Sequence, residues 1–132
     1  MTIKIGETLP EGTLAEFIEV ESGGCSLGPN SFDVSKLVKD KKIVIFGLPG
    51  AYTPTCSAQH LPGYVTHVAD FKAKGVDEIW CVAVNDAFVM GAWGRDQKAN
   101  GVVRMMADGN AAFSKALGLD ATLLQAWRTL PD

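Results

Sequence analysis

Apolar residues fall into short, partly β-branched runs separated by longer stretches with helical spacing, which predicts alternating strands and helices. Leu14 to Val20 alternates enough to predict a first strand, after a lead-in where Pro10 blocks an early helix. Gly23-Gly24-Cys25-Ser26-Leu27-Gly28-Pro29-Asn30 is turn material, and Asp33 is placed to cap a short helix through Val34, Leu37 and Val38. Lys39-Asp40-Lys41-Lys42 then leads, as a solvated connection, into Ile43-Val44-Ile45-Phe46-Gly47-Leu48. The unbroken apolar character of that run predicts a strand covered on both faces. Ile79 to Val84 predicts a second buried strand and Val102 to Met106 a third, parallel one. Between these two a helix carries Phe88, Val89, Ala92 and Trp93 on one face and ends near Asn100-Gly101. Asn110 is placed to cap a last helix with Phe113, Ala116 and Leu117. The β-α-β-α-β-α order predicts an α/β sheet with right-handed crossovers and helices on both faces.

The chemistry gathers in Pro49-Gly50-Ala51-Tyr52-Thr53-Pro54-Thr55-Cys56, directly after the first buried run. Gly and Pro end the strand and force a turn. Thr53 can serve as an N-cap and Pro54 suits the first helical position, where no N–H is needed. Cys56 then falls in the first helical turn, near unpaired N–H groups and the positive end of the helix dipole, a setting that favours thiolate. Ionisation alone is a modest aid. Lowering a thiol pKa from about 8.5 to about 6 multiplies the ionised fraction at pH 7 roughly thirtyfold, but intrinsic nucleophilicity falls roughly tenfold. Fast chemistry at such a sulfur therefore also needs donors aimed at the reacting substrate.

Pro49, Thr53 and Cys56 form Pro-x-x-x-Thr-x-x-Cys, and the stretch resembles the active-site signature of the peroxiredoxins, in wording close to the type II, peroxiredoxin-5-like branch. His60-Leu61-Pro62-Gly63-Tyr64, Gly75-Val76-Asp77-Glu78-Ile79, Val84-Asn85-Asp86-Ala87-Phe88-Val89-Met90 through Ala92-Trp93-Gly94, and Ala107-Asp108-Gly109-Asn110 resemble further blocks of that branch in the same order. The resemblance covers residues 1 to about 120 of one domain spanning 1–132. It implies a thioredoxin-like sheet with flanking helices. It implies a thiol peroxidase in which Cys56 attacks hydrogen peroxide or an alkyl hydroperoxide and becomes a sulfenic acid, Thr53 hydrogen-bonds the peroxide, and Pro49 shields the sulfur from water. It further implies recycling by glutathione with glutaredoxin or by thioredoxin, no cofactor, and a homodimer formed near the Ala87–Trp93 segment. Beyond Asp120 the resemblance stops, and the family's C-terminal ββα portion is expected to be absent or divergent. By resemblance that portion holds the strand that pairs with Ile43–Leu48 and a catalytic Arg. An exposed apolar edge is therefore expected on Ile43–Leu48, and Arg128 is not in matching sequence.

Composition narrows the alternatives. At 132 residues, with a net charge of −3, the chain can bury one core and offers no basic patch for nucleic acid or an anionic membrane. Neither a signal-like start nor a bilayer-length apolar run occurs, and the cytosol is the expected compartment. Cys25, Cys56 and Cys81 lack Cys-x-x-Cys spacing. Cys81, within a buried strand, is either core packing or, as in some type II relatives, a resolving thiol that needs local unfolding to meet Cys56. Cys25 reads as an exposed thiol in a turn, and His67 as surface. His60, four residues after Cys56, is either a packed ring or half of a metal site. Two other functions stay open beside the peroxidase. One is a catalytically weak, truncated redox-sensing or partner-binding protein that associates through Ala87–Trp93. The other is a metal-binding module using Cys56 and His60.

Overall fold

The structure, a computed structural model, describes residues 2–21, 25–54 and 56–120, with the side chains of 18–28 outside that description. Among the described residues five strands form one sheet in the order β2-β1-β5-β4-β3. β1 (Thr13–Glu21) and β2 (Cys25–Asp33) make an antiparallel hairpin, and β3 (Ile43–Gly47), β4 (Glu78–Ala83) and β5 (Arg104–Ala107) are parallel. Ala15 joins the two parts by pairing antiparallel with Ala107.

Part of the expected turn at 23–30 is strand instead. Pairing with β1 overrides the local turn preference of Leu27-Gly28-Pro29-Asn30, and Pro29, opposite Phe17, is tolerated because β2 is an edge strand. Cys25 opens β2, but its side chain lies outside the described ones. Asp33 holds the N-cap position of α1 (Val34–Leu37) without a side-chain cap bond and pairs with Lys36 at 3.5 Å.

Alternate residues of β4 face two cores. Trp80 and Val82 pack with Leu14, Val34, Met106 and Phe113, while Ile79, Cys81 and Ala83 pack with Phe46, Leu61, Met90 and Trp93. Each fully buried Val, Leu, Ile, Phe or Met among them is worth roughly 1.5–3 kcal/mol relative to exposure. α1 and α5 (Ala112–Leu117) cover the first face. The second is covered by α2 (Leu61–Thr66), α3 (Val68–Ala73) and α4 (Ala87–Asp96). β3 has no partner on its outer side among the described residues, and Ile43, Val44 and Ile45 are only half-buried, which revises the strand covered on both faces.

Two helices differ from expectation in detail. α4 buries Ala87, Met90, Gly91, Trp93 and Gly94, whereas Phe88 points out at 62% exposure. Its glycines decide this packing, because a Cβ on Gly91 would lie 2.9 Å from the Phe17 Cβ and one on Gly94 2.3 Å from Asn100 Oδ1. α5 is capped chiefly by Asp108 rather than Asn110. The buried Asp108 carboxylate accepts from the Phe113 and Ser114 N–H groups and the Ser114 hydroxyl, while Asn110 accepts only from Ala112 N.

At the N-terminal end of the parallel strands Arg104 ties β1, β4 and β5 together. Its Nε donates to both Glu16 oxygens at 3.2 Å, Nη2 to Glu16 Oε1 at 2.7 Å and Nη1 to Glu78 Oε1 at 2.7 Å. Glu78 also accepts from Lys41 Nζ at 2.5 Å and Trp80 Nε1 at 3.1 Å. Burial raises the Glu78 pKa, but the bonds from Lys41, Arg104 and Trp80 outweigh it and hold the carboxyl at about 2. Burial likewise works against charge on Arg104, and its bonds to Glu16 and Glu78 more than offset that.

Replacing Arg104 with Met should cost about 3–5 kcal/mol, since Glu16, only 5% exposed, loses its counter-charge. Urea unfolding at pH 7 measures this, and a loss below about 1 kcal/mol would mean that Glu16 escapes to water. The Glu78 contribution has a defined pH window. It is complete above pH 4.5 and disappears as pH falls toward about 2, because the unfolded chain takes up the proton first.

Candidate active site

β3 ends at Gly47, and Leu48 N still donates to Val82 O at 3.3 Å before the chain leaves the sheet. Leu48 and Gly50 are buried, and Pro49 between them is exposed. Three bonds then shape the loop. Ala51 N donates to Asn85 Oδ1 at 2.8 Å, the Thr53 hydroxyl donates to Gly50 O at 2.8 Å, and the Tyr52 hydroxyl donates to Asp96 Oδ2 at 2.7 Å. Tyr52 has φ 64°, in the left-handed region that costs an ordinary residue about 1–2 kcal/mol. The bond to Asp96 and the ring contact with Trp93, 6.4 Å between centroids, hold it there. That carboxylate bond, with a smaller part from burial, raises the Tyr52 pKa.

The helix starts where the sequence predicts. Pro54 is helical and Ser57 N donates to Thr53 O at 2.9 Å. Thr53 differs from the expected cap in one respect, since its hydroxyl donates to Gly50 O. Cys56, 5% exposed, opens a π-helical turn over Cys56–His60, which passes into α2 at Leu61. Pro62 accounts for the change of pitch, because its ring nitrogen has no hydrogen for the Ala58 carbonyl. Around Pro62-Gly63 the helix thus shows a π turn before it and a break at His67 after α2. Trp93 Nε1 donates to Ser57 Oγ at 3.0 Å and fixes the residue after the nucleophile candidate to α4.

Pro49, Thr53 and Cys56 share one turn at the C-terminal end of the parallel strands. His60 is a packed ring, 5.1 Å from Phe46 and 5.9 Å from Tyr64 between centroids. His67 is exposed beside Asp70 at 3.1 Å. Arg128 lies outside the described residues. Asn85, Asp96 and Ser57 were not singled out by the sequence. The available signal was the position of Asn85, immediately past a buried parallel strand, where α/β sheets gather their ligand sites.

The sequence profile of the family described as Redoxin matches residues 4–130. Peroxiredoxin-2C of Oryza sativa subsp. japonica is 46% identical over 121 residues, covering 92% of this chain and 71% of that protein. The chain belongs to the peroxiredoxins. As a peroxiredoxin it is a thiol peroxidase of thioredoxin-like fold, and solved structures agree. Reduced Prx3 of Vibrio vulnificus in complex with hydrogen peroxide is 48% identical, with a TM-score of 0.78 over 91% of this chain and 71% of that one. A Burkholderia cenocepacia protein provisionally named a thioredoxin reductase is 59% identical, with a TM-score of 0.90 over 96% of this peroxiredoxin and 75% of that chain.

Cys81 lies opposite Phe46 in the sheet and is 0% exposed. Burial, and then the negative charge of a Cys56 thiolate, push its thiol up to about 12. Cys81 should therefore resist iodoacetamide at pH 8 in the folded protein and react readily in urea, as peptide mass mapping would show. The same shift favours folding below pH 9 and is lost as pH climbs toward 12, because the unfolded thiol ionises first.

Proposed function

We propose that this peroxiredoxin reduces hydrogen peroxide and alkyl hydroperoxides with Cys56 as the nucleophile. One observation carries the reading. The Thr53 hydroxyl, one turn ahead of Cys56, has its proton committed to Gly50 O at 2.8 Å and accepts from no donor among the described residues, so its lone pairs can accept from a peroxide O–H. A peroxide held there presents an oxygen to the sulfur. The Cys56 thiolate attacks that oxygen, the O–O bond breaks, and the leaving oxygen takes a proton and departs as water or an alcohol. Sulfur is oxidised by two electrons to the sulfenic acid. With its proton engaged, Thr53 cannot donate to the leaving oxygen, so that charge falls to backbone N–H groups of the helix start. Pro49, at the exposed rim of the loop, limits water around the sulfur.

Recycling takes two thiols. The first condenses with the sulfenic acid, releasing water and forming a mixed disulfide, and the second releases Cys56 as a thiol. The burial of Cys81 supports an external donor, glutathione with glutaredoxin or thioredoxin, and dependence on such thiols fits a reducing compartment such as the cytosol. Phe88, 62% exposed on α4, supports a homodimer that covers the Ala87–Trp93 surface.

A sulfenic-acid probe added after a low dose of peroxide should label Cys56, and label chiefly on Cys25 or Cys81 would overturn the assignment. Thr53→Val should slow the peroxide reaction about tenfold, equivalent to roughly 1.4 kcal/mol for one lost hydrogen bond. If the rate instead falls only in proportion to a measured rise in the Cys56 pKa, Thr53 has no contact with the peroxide.

A further inference from the structure

The Gly50–Ala51 peptide unit is hydrogen-bonded on both sides. Its carbonyl accepts from Thr53 Oγ1 at 2.8 Å, and its N–H donates to Asn85 Oδ1 at 2.8 Å. In a planar trans peptide these two groups point in opposite directions, so fixing one aims the other. A Cβ on Gly50 would lie 3.7 Å from both Asn85 Oδ1 and Thr53 Cγ2, which places the two side chains against the same residue. Asn85 is itself backed by the turn before α5, where a Cβ on Gly109 would lie 3.7 Å from Asn85 O.

We infer that Asn85 is a positioning residue for the peroxide reaction, acting through the Gly50–Ala51 peptide to hold Thr53 as a hydrogen-bond acceptor toward the substrate. This rests on the assignment of Cys56 and Thr53 above. Without the Asn85 oxygen the Ala51 N–H loses its partner, and rotation of the peptide plane turns the Gly50 carbonyl away from Thr53. The Thr53 hydroxyl is then free to rotate and to present its proton, the wrong group for a peroxide O–H. Polarisation works in the same direction, since a peptide whose N–H is bonded is a stronger acceptor at its carbonyl.

The test compares Asn85→Ala, Asn85→Asp, Thr53→Val and the double variant Thr53→Val/Asn85→Ala, each first shown folded by circular dichroism. Rates are measured with hydrogen peroxide and with iodoacetamide, which alkylates a thiolate without needing an oriented peroxide. Asn85→Ala should slow the peroxide reaction at least about tenfold while the pH profile of alkylation stays unchanged. Asn85→Asp keeps the acceptor for Ala51 N and should restore the peroxide rate when variants are compared above their measured thiol pKa. In the Thr53→Val background the loss of Asn85 should cost nothing further, because the two act as one unit. A wild-type peroxide rate in Asn85→Ala, an undiminished loss in the Thr53→Val background, or a parallel fall in alkylation would each overturn the role. If Asn85→Ala does not fold, Asn85→Ser takes its place, being too short to reach Ala51. Peroxide reduction by Cys56→Ser would overturn the nucleophile itself, whereas an inactive Cys56→Ser beside a fully active Asn85→Ala overturns only the positioning role.

Discussion

Parallel pairing of β3 with β4 sets Ile43 opposite Glu78 and Gly47 opposite Val82, so the two strands end within one residue of each other. The loop after β3 and the turn after β4 are thereby neighbours, and a side chain in one can reach the backbone of the other. Without that register Asn85 could not meet Ala51, and Trp93 on the following helix could not meet Ser57. The signature Pro49, Thr53 and Cys56 is local in sequence, yet its shape is imposed across the sheet. Even the left-handed Tyr52 is held from outside, by Asp96 forty-four residues away.

The two ends of the parallel strands carry polar groups under different constraints. At the N-terminal end Arg104, Glu16, Glu78 and Lys41 satisfy one another and fix strand positions. At the C-terminal end the polar groups sit on turns and shape the loop that carries Thr53 and leads to Cys56. Charge at the first end therefore bears on stability, and hydrogen-bond direction at the second bears on the reactivity proposed for Cys56.

The sequence made the local shape of the candidate site legible because it is compressed into eight residues with unambiguous local rules: glycine and proline to end a strand, proline to start a helix, cysteine in the first turn. Ile43–Leu48 and Ile79–Val84 were legible for a similar reason, being continuous apolar runs, whereas the third parallel strand spans Arg104–Ala107 and not the expected Val102 to Met106. Misreadings came where pairing or contact decides. Pro29 and Gly28 belong to a strand because β1 is beside them. Phe88 lies outside because Gly91 and Gly94, and not the largest side chains, set the face that approaches Phe17 and Met105. The roles of Asn85 and Asp108 depend on which backbone N–H lies across the turn, and periodicity carries no information about that.

Cys81 shows how burial divides two thiols that share one core. Both sulfurs belong to the cluster beneath α2 and α4, yet Cys56 begins a helical turn at the loop while Cys81 is enclosed at the centre of β4. Ionising Cys81 in place would set an unpaired anion among apolar side chains, next to another sulfur that also carries charge when reactive. To attack a sulfenic acid at Cys56 it would have to leave the strand or wait for the π turn to open. A thiol arriving from solvent needs access to Cys56 alone, and the burial of Cys81 is what supports the external reductant proposed above.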